Sequence, residues 1–182
     1  MRQLKIFIEL TRLNKPIGFM LLFWPCSWGL ALGYVENQNF NQFFYFIILF
    51  FMGSVLMRSA GCIVNDIVDK NIDIKVERTK KRPIASGVIS IRQSLFYVAV
   101  LCSIAFLILI QFNKLTIILG MSSMILAFSY PYMKRFTYWP QLFLGLTFNW
   151  GIIMAWVAMT NFVSVDIIFL YIAAIFWTLG YD

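Results

Sequence analysis

Asp66, Asp69 and Asp73 recur at i, i+3 and i+7 within RSAGCIVNDIVDKNIDIKVERTKKRPIASG, residues 58–87. If the preceding apolar run continues as a helix, that spacing puts the three carboxylates on one face. Asn65 lies on that face one turn before Asp69. With Glu77, these acids are half of the eight in the chain. Like charges one turn apart repel by a few tenths of a kcal/mol in water, and by more when partly buried. A bound cation removes that repulsion. The donors are carboxylate and amide oxygens, and the chain has no His, so the cation is a hard one. Mg²⁺ takes one or two carboxylates, keeps waters and completes its shell with substrate phosphates. A calcium loop begun at Asp69 fails on two counts. Its sixth position is Ile74 where Gly is needed, and its twelfth is Lys80 where Glu is needed.

Cations surround the acids. Arg58, Arg78, Lys80, Lys81 and Arg82 are placed to meet phosphate oxygens. Lys80, Lys81 and Arg82 have a plainer alternative, which is to fix membrane topology or touch anionic lipid. Arg58 lies inside an apolar run, where a charge is costly and points to function. Its alternative is to snorkel to the nearby interface. Further along, Tyr130, Tyr132, Lys134 and Arg135 close one apolar run, and Asn149, Trp150 and Trp156 lie in the next. Carboxylates, cations and aromatic faces at one membrane surface suit a diphosphate on a lipid tail. Its departure leaves an allylic cation, which aromatic faces stabilise. Each ring alone also reads as packing or as an interface anchor.

The elements that must position these groups are membrane spans. The 182 residues are 61% hydrophobic and 13% charged, against about 25% charged in soluble domains. Lipid is therefore the solvent for much of the chain. Six apolar stretches, Ile17–Val35, Phe43–Val64, Leu95–Phe112, Leu115–Met133, Leu142–Met159 and Val165–Gly180, approach the roughly 20 residues of a spanning helix. None alternates as a barrel strand does. Residues 1–16 form a basic, partly amphipathic lead-in suited to the interface, and a cleaved signal peptide fits less well, because more spans follow. The net charge of +7 gathers beside the apolar runs, which favours membrane orientation over nucleic-acid binding. Basic residues crowd the N-terminus, the 65–94 loop and the 134–140 loop, and are missing near 36–42 and 160–164. The positive-inside rule places the N-terminus, the 65–94 loop and the C-terminus in the cytoplasm. Pro25 and Pro131 are expected to kink or stop their helices. Gly29 and Gly33 form a GxxxG step for close packing. Cys26, Cys62 and Cys102 read as small core thiols. No linker, repeat or second domain divides the chain.

NDIVDKNID resembles the first aspartate-rich motif, NDxxDxxxD, of the UbiA superfamily of membrane prenyltransferases. RLNKPIG at 12–18, LLFWP at 21–25, RSAGCIVND at 58–66, RTKKRPIASG at 78–87 and YPYMKRFTYWPQLFLG at 130–145 resemble its 4-hydroxybenzoate polyprenyltransferase branch. The blocks agree in order over nearly the whole chain. The resemblance implies an all-α bundle of transmembrane helices around a cavity, with about six spans here of about nine in the family. It implies Mg²⁺-dependent transfer of a polyprenyl group from polyprenyl diphosphate to the ring of 4-hydroxybenzoate, as in ubiquinone biosynthesis. Asn65, Asp66, Asp69 and Asp73 map to the metal and diphosphate ligands. Asp66, Asp69 and Arg58 carry the catalytic roles. Arg58, Lys134, Arg135, Arg12, Asn14, Tyr130 and Asp182 fall to substrate binding.

The family carries a second aspartate-rich motif after the sixth span, beginning YD. Tyr181 and Asp182 match its start and end the sequence. The expectation is a single membrane-embedded domain over 1–182, incomplete at its C-terminus and weak in activity by itself. The implied location is a bacterial or mitochondrial inner membrane, with lipid as surroundings and no nucleic acid or protein partner. Another acceptor, such as haem or a different quinone precursor, or a non-catalytic remnant, is the alternative. A transporter would instead place its charges at mid-membrane in broken helices.

Overall fold

The computed structural model describes residues 2–181, with the side chains of Arg2, Lys134 and Arg135 set aside. Its elements are α1 (Arg2–Thr11), α2 (Ile17–Asn37), α3 (Phe40–Val68), α4 (Lys70–Asp73), α5 (Ile91–Leu109), α6 (Lys114–Phe136), α7 (Pro140–Thr160) and α8 (Val165–Tyr181). No strand occurs among the described residues. α2, α3, α5, α6 and α7 are long and apolar enough to cross a membrane. The sixth apolar run forms α8, which has 17 residues, about 25 Å of helix and the lower end of a spanning length.

Local signals fix where the helices begin. Asn39 caps α3 by accepting from Gln42 N–H at 3.1 Å, and Asn113 caps α6 through Thr116 N–H at 2.9 Å. Ser90 and Gln93 form a reciprocal capping box on α5. Gln38 and Asn161, after α2 and α7, take left-handed backbone at φ 54° and 63°, the conformation that closes many helices. Pro25 lies inside α2 and Pro131 inside α6, and neither stops its helix. The expected stop at Pro131 does not occur, because the helix runs on to Phe136 and Thr137 N–H still reaches Met133 C=O at 3.0 Å.

α2 and α7 form the tightest seam. A Cβ on Gly33 would stand 2.6 Å from Met159 Cβ. One on Gly29 would strike the Ile152 carbonyl, and one on Gly151 would strike Cys26 Sγ. The GxxxG step therefore packs as expected, against α7. Three apolar clusters hold the bundle. One joins α2, α3 and α7 around Leu30, Phe50 and Met159. A second joins α7 and α8 around Ile152, Val157 and Ile167. A third lies under α1, where Leu10 meets Ala60 and Ile63 of α3, Leu101 of α5, and Ile84 and Ile89 of the long loop.

Two layers of polar contact mark the ends of the bundle. At one end Asn37 donates to Met159 C=O at 2.9 Å, and Asn113 donates to Val157 C=O at 2.8 Å. These amides satisfy the last carbonyls of α7, which have no partner inside their own helix. The turns after α2, α5 and α7 thus lie together. The opposite end holds the N-terminal turn and the 69–90 loop, joined by the ion pairs described next.

Candidate active site

α3 delivers the acids. Asp66 lies two residues before its end and is 2% exposed. Its Oδ1 accepts from Arg12 Nη2 at 2.6 Å and from Arg82 Nη1 at 3.1 Å. The same Nη1 donates to Asp73 Oδ2 at 2.8 Å. A buried carboxylate is tolerated only when it is paired and hydrogen-bonded, and both of these are. Asn65 Nδ2 donates to Asp69 Oδ2 at 3.1 Å, across one turn.

The shared helical face is achieved with a break. α3 ends at Val68, Asp69 sits at φ −86° and ψ 2°, and α4 then carries Asp73. The helix expected to continue straight through Asp73 is bent at Asp69, although Asp69 N–H still reaches Asn65 C=O at 2.9 Å. The acids separate into two groups as a result: Asp66 and Asp73 share one guanidinium, and Asp69 pairs with Asn65.

Each arginine is held by its own segment. Arg12 follows the last residue of α1 at φ 56°, a left-handed conformation uncommon for a residue with a side chain. It reverses the chain after α1, with Lys15 N–H on its carbonyl at 2.9 Å. Arg82 belongs to a loop folded onto the bundle. Thr79 is buried and its Oγ1 donates to Asp73 C=O at 3.1 Å. Arg82 N–H reaches Thr79 C=O at 2.9 Å. Ile84, two residues on, is 1% exposed in the cluster beneath α1.

A cavity of about 630 Å³ opens among α2, α3, α5, α6 and α7. Its walls are mostly apolar, and Arg58, Tyr130, Thr147, Phe148 and Trp150 stand among them. The Arg58 guanidinium lies 5.5 Å from the centre of the Phe148 ring, within cation–π range. No carboxylate pairs with Arg58 among the described residues. A Cβ on Gly18 would come within 2.8 Å of Arg58 Nε, so the start of α2 leaves the guanidinium its room. Arg58 and Asp66 are eight residues apart on one helix, about 12 Å. The cavity wall runs on to Gly61, about 7.5 Å along the helix from Asp66, and so lies below the acid layer.

The model of the UbiA prenyltransferase family matches residues 22–182. The chain belongs to this family. It is 45% identical over 177 residues to a mitochondrial 4-hydroxybenzoate polyprenyltransferase of Arabidopsis thaliana, covering 97% of this chain and 43% of that protein. It is 44% identical to a 4-hydroxybenzoate octaprenyltransferase of Vibrio atlanticus, covering 98% and 61%. The chain thus spans about half the length of the curated relatives it matches. A UbiA homolog from Aeropyrum pernix superposes with a TM-score of 0.71 at 26% identity, over 90% of this chain and 61% of that one. The fold also matches a UbiA homolog from Archaeoglobus fulgidus bound to GPP and Mg²⁺, with a TM-score of 0.76 at 15% identity, over 97% and 60%. The chain is an integral membrane protein.

Set against the UbiA motif, Asn65, Asp66, Asp69 and Asp73 all lie at one end of the bundle. Arg12 sits on Asp66 and not at the cavity wall, and Asn14 is exposed on the turn beside it. Tyr130 and Arg58 line the cavity. The side chains of Lys134 and Arg135, and all of Asp182, lie outside the described residues. Asn149 and Trp156, which the sequence placed with the site, are absent from the cavity wall. Asn149 instead ties α7 to Ala174 C=O and Thr178 of α8, and Trp156 packs edge-on to Phe162. Sequence reasoning missed Gly18, Phe148, Thr79 and Ile84. Gly18, Thr79 and Ile84 stand in the family blocks RLNKPIG and RTKKRPIASG, and that was their only signal; Phe148 had none.

Among the described residues no three carboxylates or thiols converge on one metal-sized space. Mg²⁺ asks less, since one or two carboxylates suffice when phosphate oxygens and water complete the shell. Asp66 and Asp69, on consecutive turns with the Asn65 amide beside them, fit that requirement.

Proposed function

We propose that the protein transfers a polyprenyl group from polyprenyl diphosphate to the aromatic ring of 4-hydroxybenzoate, with Mg²⁺. The observation that carries this reading is the apolar cavity with Arg58 in its wall below the paired acids, in a UbiA chain whose relatives are named 4-hydroxybenzoate polyprenyltransferase and octaprenyltransferase. The cavity receives the prenyl tail and excludes water from its reactive end. Asp66 and Asp69, with Asn65 beside them, would hold Mg²⁺, which would supply positive charge against the diphosphate oxygens. Arg12, Arg82 and the basic residues of the same loop add donors for phosphate oxygens. The carbon–oxygen bond to diphosphate breaks, and its electron pair leaves with the diphosphate. The allylic cation faces Phe148, Trp150 and Tyr130, whose rings stabilise positive charge. Arg58 binds the carboxylate of the acceptor and presents the ring carbon ortho to the hydroxyl. That carbon forms the new bond, and loss of its proton restores the aromatic ring.

The test is transfer of label from 4-hydroxybenzoate into a lipid-soluble product in membranes holding the full-length protein, with polyprenyl diphosphate and Mg²⁺. Product that depends on both additions is expected. Absence of product with 4-hydroxybenzoate, alongside product from another ring acceptor, would overturn the assignment of the acceptor.

A further inference from the structure

Asp66 and Asp73 are 2% and 6% exposed, and two guanidinium groups balance their charge. Arg82 Nη1 stands between them at 3.1 and 2.8 Å, and Arg12 Nη2 takes Asp66 at 2.6 Å. Within this group of four, two carboxylates and two guanidiniums cancel. A divalent cation arriving alone has to drive a guanidinium off a buried carboxylate, with nothing offered to that guanidinium in return. A diphosphate alters the exchange. Phosphate oxygens accept planar, bidentate donation from arginine as well as carboxylates do. The arginine then moves from acid to phosphate, and the released carboxylate turns to the cation.

Arg82 is built for such a move. Its backbone is pinned by Ile84 in the core and by Thr79 on the Asp73 carbonyl. Its side chain is 29% exposed, and only the side chain, not the backbone, crosses to the acids. The long side chain can change partner while the loop stays in place. Arg12 differs, because it contacts Asp66 alone where Arg82 bridges Asp66 and Asp73.

Resting on the prenyltransferase reading, we propose that Arg82 is an exchangeable counter-ion that makes binding of the divalent cation conditional on diphosphate. It holds Asp66 and Asp73 shut to a lone cation and, when its guanidinium is taken by phosphate, frees Asp66 to join Asp69 on the cation. Ile84 is the positioning residue that keeps Arg82 over the acids.

The test uses Mn²⁺ as the cation and inorganic diphosphate as the probe, with the full-length chain in nanodiscs. Mn²⁺ that stays with the nanodiscs after separation from free Mn²⁺ and its soluble diphosphate complex reports binding without any turnover. The unaltered chain is expected to bind Mn²⁺ weakly alone and at least about tenfold more tightly with diphosphate. Arg82→Gln should raise affinity for Mn²⁺ alone by about tenfold and shrink the gain from diphosphate. Arg82→Lys should rise less. Ile84→Ala keeps every charge and guards against a misfolded Arg82→Gln; it should raise affinity severalfold. If diphosphate tightens Mn²⁺ in the unaltered chain but neither Arg82→Gln nor Ile84→Ala raises affinity for Mn²⁺ alone, the exchange is overturned and the prenyltransferase reading stands. If diphosphate fails to tighten Mn²⁺ in every variant, both are overturned.

Discussion

Asp66 and Asp69 sit three residues apart and do different work. Asp66 is buried and anchors two arginines from separate segments, whereas Asp69 is half-buried and pairs with Asn65. Asp69→Asn is therefore expected to lower turnover by about a hundredfold, the scale of removing one group from the charge-stabilising machinery. Protein abundance should stay near normal. Turnover close to that of the unaltered protein would remove Asp69 from the metal site. Arg12→Ala leaves Asp66 buried with one partner fewer and breaks the contact that holds the turn after α1. A loss of roughly 3 kcal/mol is expected from breaking such a buried pair, read as a lower unfolding temperature in detergent. Arg58 carries a different prediction, because it faces the cavity. Arg58→Met should raise KM for 4-hydroxybenzoate by about tenfold, the discrimination of one charge-assisted contact. An acceptor lacking the carboxylate should lose little. An equal loss for both acceptors would assign Arg58 to the diphosphate.

The elements were legible to different depths. Every apolar run in the sequence became a helix, because length and hydropathy decide a span with little help from neighbours. The amphipathic lead-in became α1, with Leu10 fully buried and Leu4 63% exposed. The bend at Asp69 was not legible, since an i, i+3, i+7 pattern scores the same on a straight helix. The partners of Asp66 were hidden for another reason. Arg12 and Arg82 lie 54 and 16 residues from it, and no periodicity joins residues so far apart. Nor does composition mark the loop as folded inward, because Ile84 and Ile89 sit among basic and small residues that read as solvated. Asn149 erred the other way. A polar residue in a span points to function by default, but its amide is used up on Gly145 C=O, Ala174 C=O and Thr178. The α2–α7 seam was legible from Gly29 and Gly33, and it makes its own prediction. Gly33→Leu has to displace Met159, which is 1% exposed. Overpacking of this kind costs about 1–3 kcal/mol. Gly180→Ala meets nothing within 4 Å and should leave the unfolding temperature unchanged. Equal stability of Gly33→Leu and the unaltered protein would mean that the seam is looser than the backbone approach implies.

At the scale of the molecule, charge and structure divide the bundle in the same way. One end holds the turns after α2, α5 and α7, tied by Asn37 and Asn113 to the carbonyls of α7. The other holds Arg12, the acids and the 69–90 loop, tied by ion pairs. Lysine and arginine crowd the second end: Lys70, Lys75, Arg78, Lys80, Lys81 and Arg82 fall within that loop, and none falls between Asn37 and Phe40. Basic loops are retained on the cytoplasmic side. The rule predicts that the acid layer faces the cytoplasm, or the matrix in a mitochondrion. Two single substitutions test this. Asn41→Cys lies on the exposed first turn of α3 and Lys81→Cys on the exposed loop. The native thiols give little background, since Cys26 and Cys62 are buried and Cys102 is half-buried within a span. In intact bacterial cells, a membrane-impermeant maleimide should label Asn41→Cys and spare Lys81→Cys. Opening the cells should add Lys81→Cys. Labelling of Lys81→Cys from outside would invert the molecule and place the acid layer on the opposite surface from the one its charges select.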